Sequence, residues 1–270
     1  VTDAPAPADG HDTGAYAESR PRLSGAASPV LAMFDRTRLK LVRALVAPGA
    51  RLLDVGAGRG RFVAAAAAAG YDAEGLEPSE RGLNAARRDY GVGLQRATVE
   101  TAEVAPGSLD VVTLWHVLEH VEDPAAALAT VAGWLRPGGA LVLGVPNLAS
   151  WQARVGGARW FHLDLPRHRT HFTPAGLTAL LSASGFEVVS VRHALAEHNP
   201  FGMWQSAVNR VTRTPSYLFN LLKRNAPAAS PDLAITLAAL PLLPVAAVAE
   251  LAAAAARRGG TVAVSARRRP

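Results

Sequence analysis

Between residues 40 and 191 short apolar runs alternate with segments of roughly ten residues whose apolar positions recur every three or four. Phe34, Leu41, Val42 and Leu45 mark a helix over 31–46 that Pro48-Gly49 stops. Residues 51–55 predict a first strand, and an alanine-rich helix over 62–69 ends at Gly70. A second strand is expected over 72–77. Ser79 is suited to cap a helix running to Tyr90, which Gly91 closes. A weaker strand over 92–98 and a strong one over 109–115 follow. Asp123-Pro124 is a cap with proline at the first helical position, opening a helix to Leu135. The turn Pro137-Gly138-Gly139 leads into a strand over 140–145, and residues 147–155 suit a helix. Thr173-Pro174 repeats the cap-plus-proline signal for a helix ended by Gly185, with a strand over 186–191 and a last one over 260–265. Seven strands alternating with helices predict an α/β, doubly wound sheet, whose ligands bind beyond the carboxyl ends of the strands.

Composition narrows the chemistry. Of 270 residues, 49% are hydrophobic and 19% charged, which suits a packed core. The chain has no cysteine, which excludes disulfides, thiolate nucleophiles and cysteine-ligated metals. The net charge is +6, but Arg257, Arg258, Arg267, Arg268 and Arg269 supply most of it, and the rest of the chain is nearly neutral. The high pI is therefore an effect of the C-terminal stretch and no sign of a nucleic-acid-binding domain. Residues 1–30, rich in Ala, Pro, Gly and Asp without apolar period, are expected to be a flexible arm. No basic segment followed by an apolar run opens the sequence, so a cytoplasmic location is the expectation.

The loop Asp54-Val55-Gly56-Ala57-Gly58-Arg59-Gly60 sits between a predicted strand and helix, where its glycines permit a tight turn and let a ligand approach the backbone. Glu77 follows at the end of the next strand, where a carboxylate can accept both hydroxyls of a ribose. Dinucleotide enzymes and methyltransferases share this geometry. The spacing here is G-x-G-x-G rather than G-x-G-x-x-G, with Asp54 two positions before it. The chain then reads LDVVTLWHVLEHVEDP from Leu109 and LRPGGALVLGV from Leu135. Together these motifs resemble class I S-adenosylmethionine-dependent methyltransferases over residues 40–195. The later run WFHLDLPRHRTHFTPAGLTALLSASGFEVV resembles the small-molecule, methyltransferase type 23-like branch. The resemblance implies a Rossmann-like seven-stranded sheet, S-adenosylmethionine as cofactor and S-adenosylhomocysteine as product. It also implies cofactor contacts. Gly56, Ala57 and Gly58 would lie near the methionine moiety, Asp54 would order the loop, Glu77-Pro78 would hold the ribose, and Val99-Glu100 would flank the adenine. Trp115 and His116 would lie near the sulfonium.

Two histidine clusters remain. His116, Glu119 and His120 form H-x-x-E-H, the inverted zinc-protease pattern. It directly follows a strand and lacks an evident third ligand, so no metal is expected. Methyltransferases of quinone biosynthesis carry an acidic version of this segment; here His116 stands in its first acidic position. The second cluster, Trp160, His162, Asp164, Arg167, His168 and His171, lies in the long connection after the 140–145 strand. Loops there carry chemistry, so Trp160, His162, Asp164, Arg167 and His171 are expected to bind the acceptor. An alcohol acceptor loses a proton, and neutral imidazole is a suitable base near pH 7, which makes His168 and His116 the candidate bases.

The domain organisation expected is an arm over 1–30, a methyltransferase domain over 31–199 plus 257–270, and a helical apolar insertion over 200–256. Residues 233–256 are almost wholly apolar, with Glu250 their only charge, and Pro241 and Pro244 break the run. A membrane span would separate the last strand from its sheet. The insertion is therefore either a lid over the substrate or a hairpin in the membrane interface, which would put the protein peripherally on a membrane's inner face. The function expected is methylation of a small molecule, at oxygen, on a glycosylated, lipid-linked or specialised metabolite. The alternatives are a member that binds the cofactor but performs another reaction or none, and a nicotinamide oxidoreductase, which the loop spacing disfavours. A nucleic-acid methyltransferase lacks support, because Leu114-Trp115-His116-Val117 stands where an Asn/Asp-Pro-Pro-aromatic motif is required.

Overall fold

In the computed structural model the described residues are 28–194, 199–223 and 225–270. All but the last three residues of the arm expected over 1–30 lie outside them. Two compact units result. One comprises Val30–Val145, Pro174–Val191 and Ala263–Pro270, and contains most of the sheet. The other comprises Pro146–Thr173 and Arg192–Val262, and its described part is mainly helical.

The sheet unit opens with α1 (Ser28–Arg43), followed by β1 (Arg51–Val55), α2 (Arg61–Ala68), β2 (Asp72–Leu76), α3 (Glu80–Tyr90), β3 (Leu109–Trp115), α4 (Pro124–Trp134) and β4 (Leu135–Pro146). After α5 (Trp151–Gly156) come α6 (Pro174–Ala183) and β5 (Phe186–Arg192), and β6 (Thr261–Arg268) closes the chain. The sheet has six strands in the order β2-β1-β3-β4-β6-β5, and β1 runs parallel to β2 and β3, as β3 does to β4. From β1 the chain moves outward to β2, then returns across to β3. The order therefore reverses between β1 and β3, and a crevice opens at their carboxyl ends. The centre is apolar on both faces: Leu52, Leu53, Val111, Val112, Leu141, Val142 and Leu143 are all buried, as strands covered by helices on each side must be.

The strand expected over 92–98 is not formed, which reduces seven strands to six. Only Gln95 pairs there, its N–H donating to Gly75 O (2.9 Å) and its carbonyl accepting from Glu77 N (3.0 Å). Gly91 takes φ +68° as the cap of α3, and Gln95 and Arg96 are exposed, so few side chains remain to hold a longer ladder. The 137–139 turn is absorbed into β4 as a register shift: Leu109 pairs with Leu135, but Val111 with Ala140. Asn147, expected to begin a helix, instead accepts from Ala149 N through Oδ1 (2.9 Å), and α5 starts after the Ser150 cap.

In the helical unit α5 packs on α7 (Asn199–Val208), which also packs on α10 (Leu243–Ala255). α8 (Tyr217–Leu222) and α9 (Pro231–Ala239) lie between α7 and α10 in sequence. Gln152 on α5 donates to Asn199 O (2.8 Å) and to Glu250 Oε2 (3.0 Å), and Glu250 Oε1 accepts from Gly260 N (2.6 Å). Burial pushes the Glu250 carboxyl upward, opposed by these hydrogen bonds.

The caps supply a direct test of the fold. Asp123 Oδ1 accepts from Ala125 N (2.9 Å) and Ala126 N (3.0 Å) at the start of α4. Asp123→Ala should destabilise the protein by about 1 kcal/mol in urea unfolding.

Candidate active site

The glycine loop joins β1 to α2 at the crevice. Gly56, Gly58 and Gly60 take φ of +70°, +59° and +73°, a region closed to most side chains. Space forbids replacement as well: a Cβ on Gly56 would lie 2.5 Å from Val117 Cγ2, and one on Gly60 2.4 Å from Val92 Cγ2. Ala57 donates its N–H to Leu76 O (2.8 Å), which seats the loop on the end of β2.

Two buried carboxylates flank this loop. Glu77, one residue past β2, accepts from Gly58 N through Oε2 (2.8 Å) and from Ser79 N through Oε1 (2.9 Å). It therefore ties the β1–α2 loop to the cap of α3. Asp54 lies within β1, opposite Thr113 of β3, and Thr113 Oγ1 donates to its Oδ1 (2.6 Å). Burial pushes the Asp54 carboxyl up to about 7, against the downward pull of the Thr113 hydroxyl and the Arg38 guanidinium. Thr113 was not anticipated, although a lone threonine in an apolar strand beside a strand with a lone acid was a legible signal.

At the end of β3, Trp115 is buried. The Arg38 guanidinium sits 4.7 Å from its ring centroid, and Phe62 meets it edge-on at 6.1 Å. Its indole N–H finds no acceptor among the described residues. Arg38 and Phe62 belong to α1 and α2, and no local motif marked them. His116 takes φ +57°, a strained conformation for a non-glycine residue, just where β3 ends. Its N–H donates to Gly144 O (2.9 Å), and its Nδ1 lies 3.1 Å from Oε1 of the buried Glu119. Glu119 thus orients the imidazole. Farther along, Pro78 is half-buried, Val99 is buried and Glu100 is exposed. Asp54, the glycine loop, Glu77, Trp115 and His116 all sit at the carboxyl ends of β1, β2 and β3 or in the loops that follow.

The second cluster forms within the helical unit. Trp160, His162 and His168 are buried. Trp160 contacts the rings of His162 (5.7 Å) and His171 (6.0 Å), and His171 that of His168 (6.1 Å). Phe161 packs on His162, Phe201 and Phe219. His168 Nδ1 lies 2.7 Å from His162 O. A carbonyl only accepts, so Nδ1 carries the proton and Nε2 of the neutral ring is the basic nitrogen. His171 is the mirror case, with Nε2 donating to Leu163 O (3.0 Å). Arg167 pairs with Asp164 at 2.7 Å, and Asp164 Oδ2 lies 3.9 Å from His168 Nε2. All six residues expected to serve the acceptor are therefore gathered in one loop. Nearby, Lys223 lies 4.2 Å from the Phe219 ring centroid, and burial lowers its pKa to about 8.

A mixed sheet whose strands β2, β1, β3 and β4 run parallel, with its order reversing at a glycine loop flanked by two acids, defines the Rossmann-like α/β class. Residues 27–191 match the family profile described as a methyltransferase domain. The chain is 31% identical over 201 residues to the ubiquinone biosynthesis O-methyltransferase of Xanthomonas euvesicatoria pv. vesicatoria (strain 85-10), covering 70% of this chain and 80% of the relative. In fold it is similar to an S-adenosylmethionine-dependent methyltransferase from Thermotoga maritima (TM-score 0.54, 20% identity, 92% of this chain and 97% of that one). It is also similar to the [4+2]-cyclase SpnF (TM-score 0.57, 20% identity, 94% and 86%). The chain belongs to the methyltransferase family, and it is an S-adenosylmethionine-dependent enzyme.

The raised Asp54 pKa has a measurable consequence. The folded state holds this proton more tightly than the unfolded chain does. The stability it contributes is full below the ordinary value of 3.8 and is lost as pH rises towards about 7. Asp54→Asn should remove that loss: thermal melts should show wild type falling relative to the variant across this window, and a constant difference above it.

Proposed function

We propose that this enzyme methylates a hydroxyl oxygen of a small molecule, a glycosylated, lipid-linked or specialised metabolite. The observation that carries oxygen as the accepting atom is the similarity to ubiquinone biosynthesis O-methyltransferase over most of both chains.

The residues at the crevice suit the cofactor. S-adenosylmethionine supplies an electrophilic methyl group on a cationic sulfonium, joined to a ribose and to an amino acid. Glu77 accepts backbone N–H groups from both loops, which holds an acceptor-only carboxylate at the end of β2, where a ribose hydroxyl would donate to it. Asp54 adds a second acid beside the loop; burial makes it hold its proton, and a cationic ligand beside it would favour the carboxylate form, as a diphosphate would not. The bare backbone of Gly56 and Gly58 admits the ligand's chain closely. Trp115 offers an aromatic face beside these groups, and Val99 an apolar surface for a base.

The acceptor's hydroxyl must lose its proton as the new O–C bond forms. His168 suits this task, because its bond to His162 O leaves Nε2 the basic nitrogen, and Asp164 stabilises the imidazolium that results. His116, oriented by Glu119, is the second candidate. Trp160, His162, Arg167 and His171 would orient the acceptor. Two expectations follow for binding and turnover. Glu77→Ala should weaken S-adenosylhomocysteine binding by about 1.5–3 kcal/mol in calorimetry. His168→Ala should leave that affinity nearly unchanged and lower turnover about 10²–10⁴-fold, whereas His116→Ala should disturb both. The acceptor assay is a metabolite screen with methyl-labelled cofactor. Label on nitrogen or carbon would contradict the oxygen reading, and a wild-type rate for His168→Ala would remove it as the base. Cofactor binding without any labelled product would favour a member repurposed for another reaction.

A further inference from the structure

Residues 231–256 of the helical unit form α9, a short turn holding Pro241, and α10, and the stretch Pro231–Ala255 is long and apolar enough to cross a bilayer. Its inner side is pinned to the unit. Asp232, buried, accepts from Arg213 N and Thr214 N, each at 2.8 Å. Glu250, also buried, accepts from Gln152 and Gly260, and Trp204 Nε1 donates to Ala239 O at 2.7 Å. Pulling this stretch through a bilayer would strip two acids of these partners, so the segment lies on the unit as a surface element.

The outer side is unlike a water-facing helix. Leu237, Leu242, Val245, Val248 and Leu251 are between 54% and 69% exposed, and Leu240 is 38% exposed. Every other exposed residue from 231 to 256 is Ala or Pro. Both acids of the stretch face inward, so its outer side carries no negative charge. Arg257 and Arg258, both exposed, follow immediately after it. An apolar surface this continuous marks an interaction site. Protein interfaces are anchored by Tyr, Trp and Arg and carry hydrogen bonds across them. This face offers aliphatic side chains only, with cations at its end, which matches a fluid acyl layer under anionic headgroups.

We propose that the outer face of α9 and α10 docks on an anionic lipid bilayer, lying in its interface without crossing it. This inference is independent of the acceptor's identity. The test is flotation of the full chain with vesicles of phosphatidylcholine alone or mixed with phosphatidylglycerol, at low and high salt. The protein should float with the mixed vesicles and much less with the neutral ones or at high salt. Arg257→Gln with Arg258→Gln should lower partitioning about 10–30-fold. Val248→Glu with Leu251→Glu should abolish flotation while S-adenosylhomocysteine binding and the melting temperature stay unchanged, since both positions are exposed. Failure of the wild type to float, equal flotation on neutral vesicles, or undiminished flotation of the glutamate variant would overturn the proposal. So would a wild-type dimer in light scattering that the glutamate variant dissociates without any flotation, which would give the face to a second copy.

Discussion

The Glu77 carboxylate is the interaction on which the candidate cofactor site depends. A buried carboxylate is costly unless hydrogen-bonded, and here two backbone N–H groups satisfy it. Those donors come from different loops, Gly58 after β1 and Ser79 after β2, so one side chain fixes the spacing of two strand ends. Gly82 on α3 has to be glycine for the same reason, because a Cβ there would lie 2.7 Å from Glu77 Cγ. The geometry of the crevice thus follows from burying one charge and satisfying it with main chain.

Much of this sheet was legible locally. The bounds of β1 and β3 follow from continuous apolar runs, and α3 and α4 from their caps, Ser79 with Gly91 and Asp123 with Pro124. The strand over 92–98 misled because its apolar residues are buried without pairing: Leu94 packs against Val63, Leu83 and Ala86, and only Gln95 joins the sheet. Burial and strand pairing leave the same trace in a short sequence. The site shows the same division. The glycines, Glu77 and Asp54 stand at fixed spacings within a motif, whereas Arg38 meets Trp115 only because α1 folds back onto the sheet.

The helical unit shows why an apolar run is hard to read from sequence. Glu250 looks like an isolated charge in an alanine-rich stretch, but it is the acceptor that Gln152 and Gly260 require. The alanines allow α10 to approach α7, while leucines and valines of the same run remain outside. Composition alone cannot separate the inward positions from the outward ones, since both are apolar.

As proposed above, the glycine loop with Asp54 and Glu77 holds an adenosine that carries an amino acid and rejects a diphosphate dinucleotide. Calorimetry of the wild-type protein with S-adenosylhomocysteine and with NAD tests it most directly. S-adenosylhomocysteine should bind saturably, and NAD should give little heat. Tight NAD binding with no response to S-adenosylhomocysteine would contradict it.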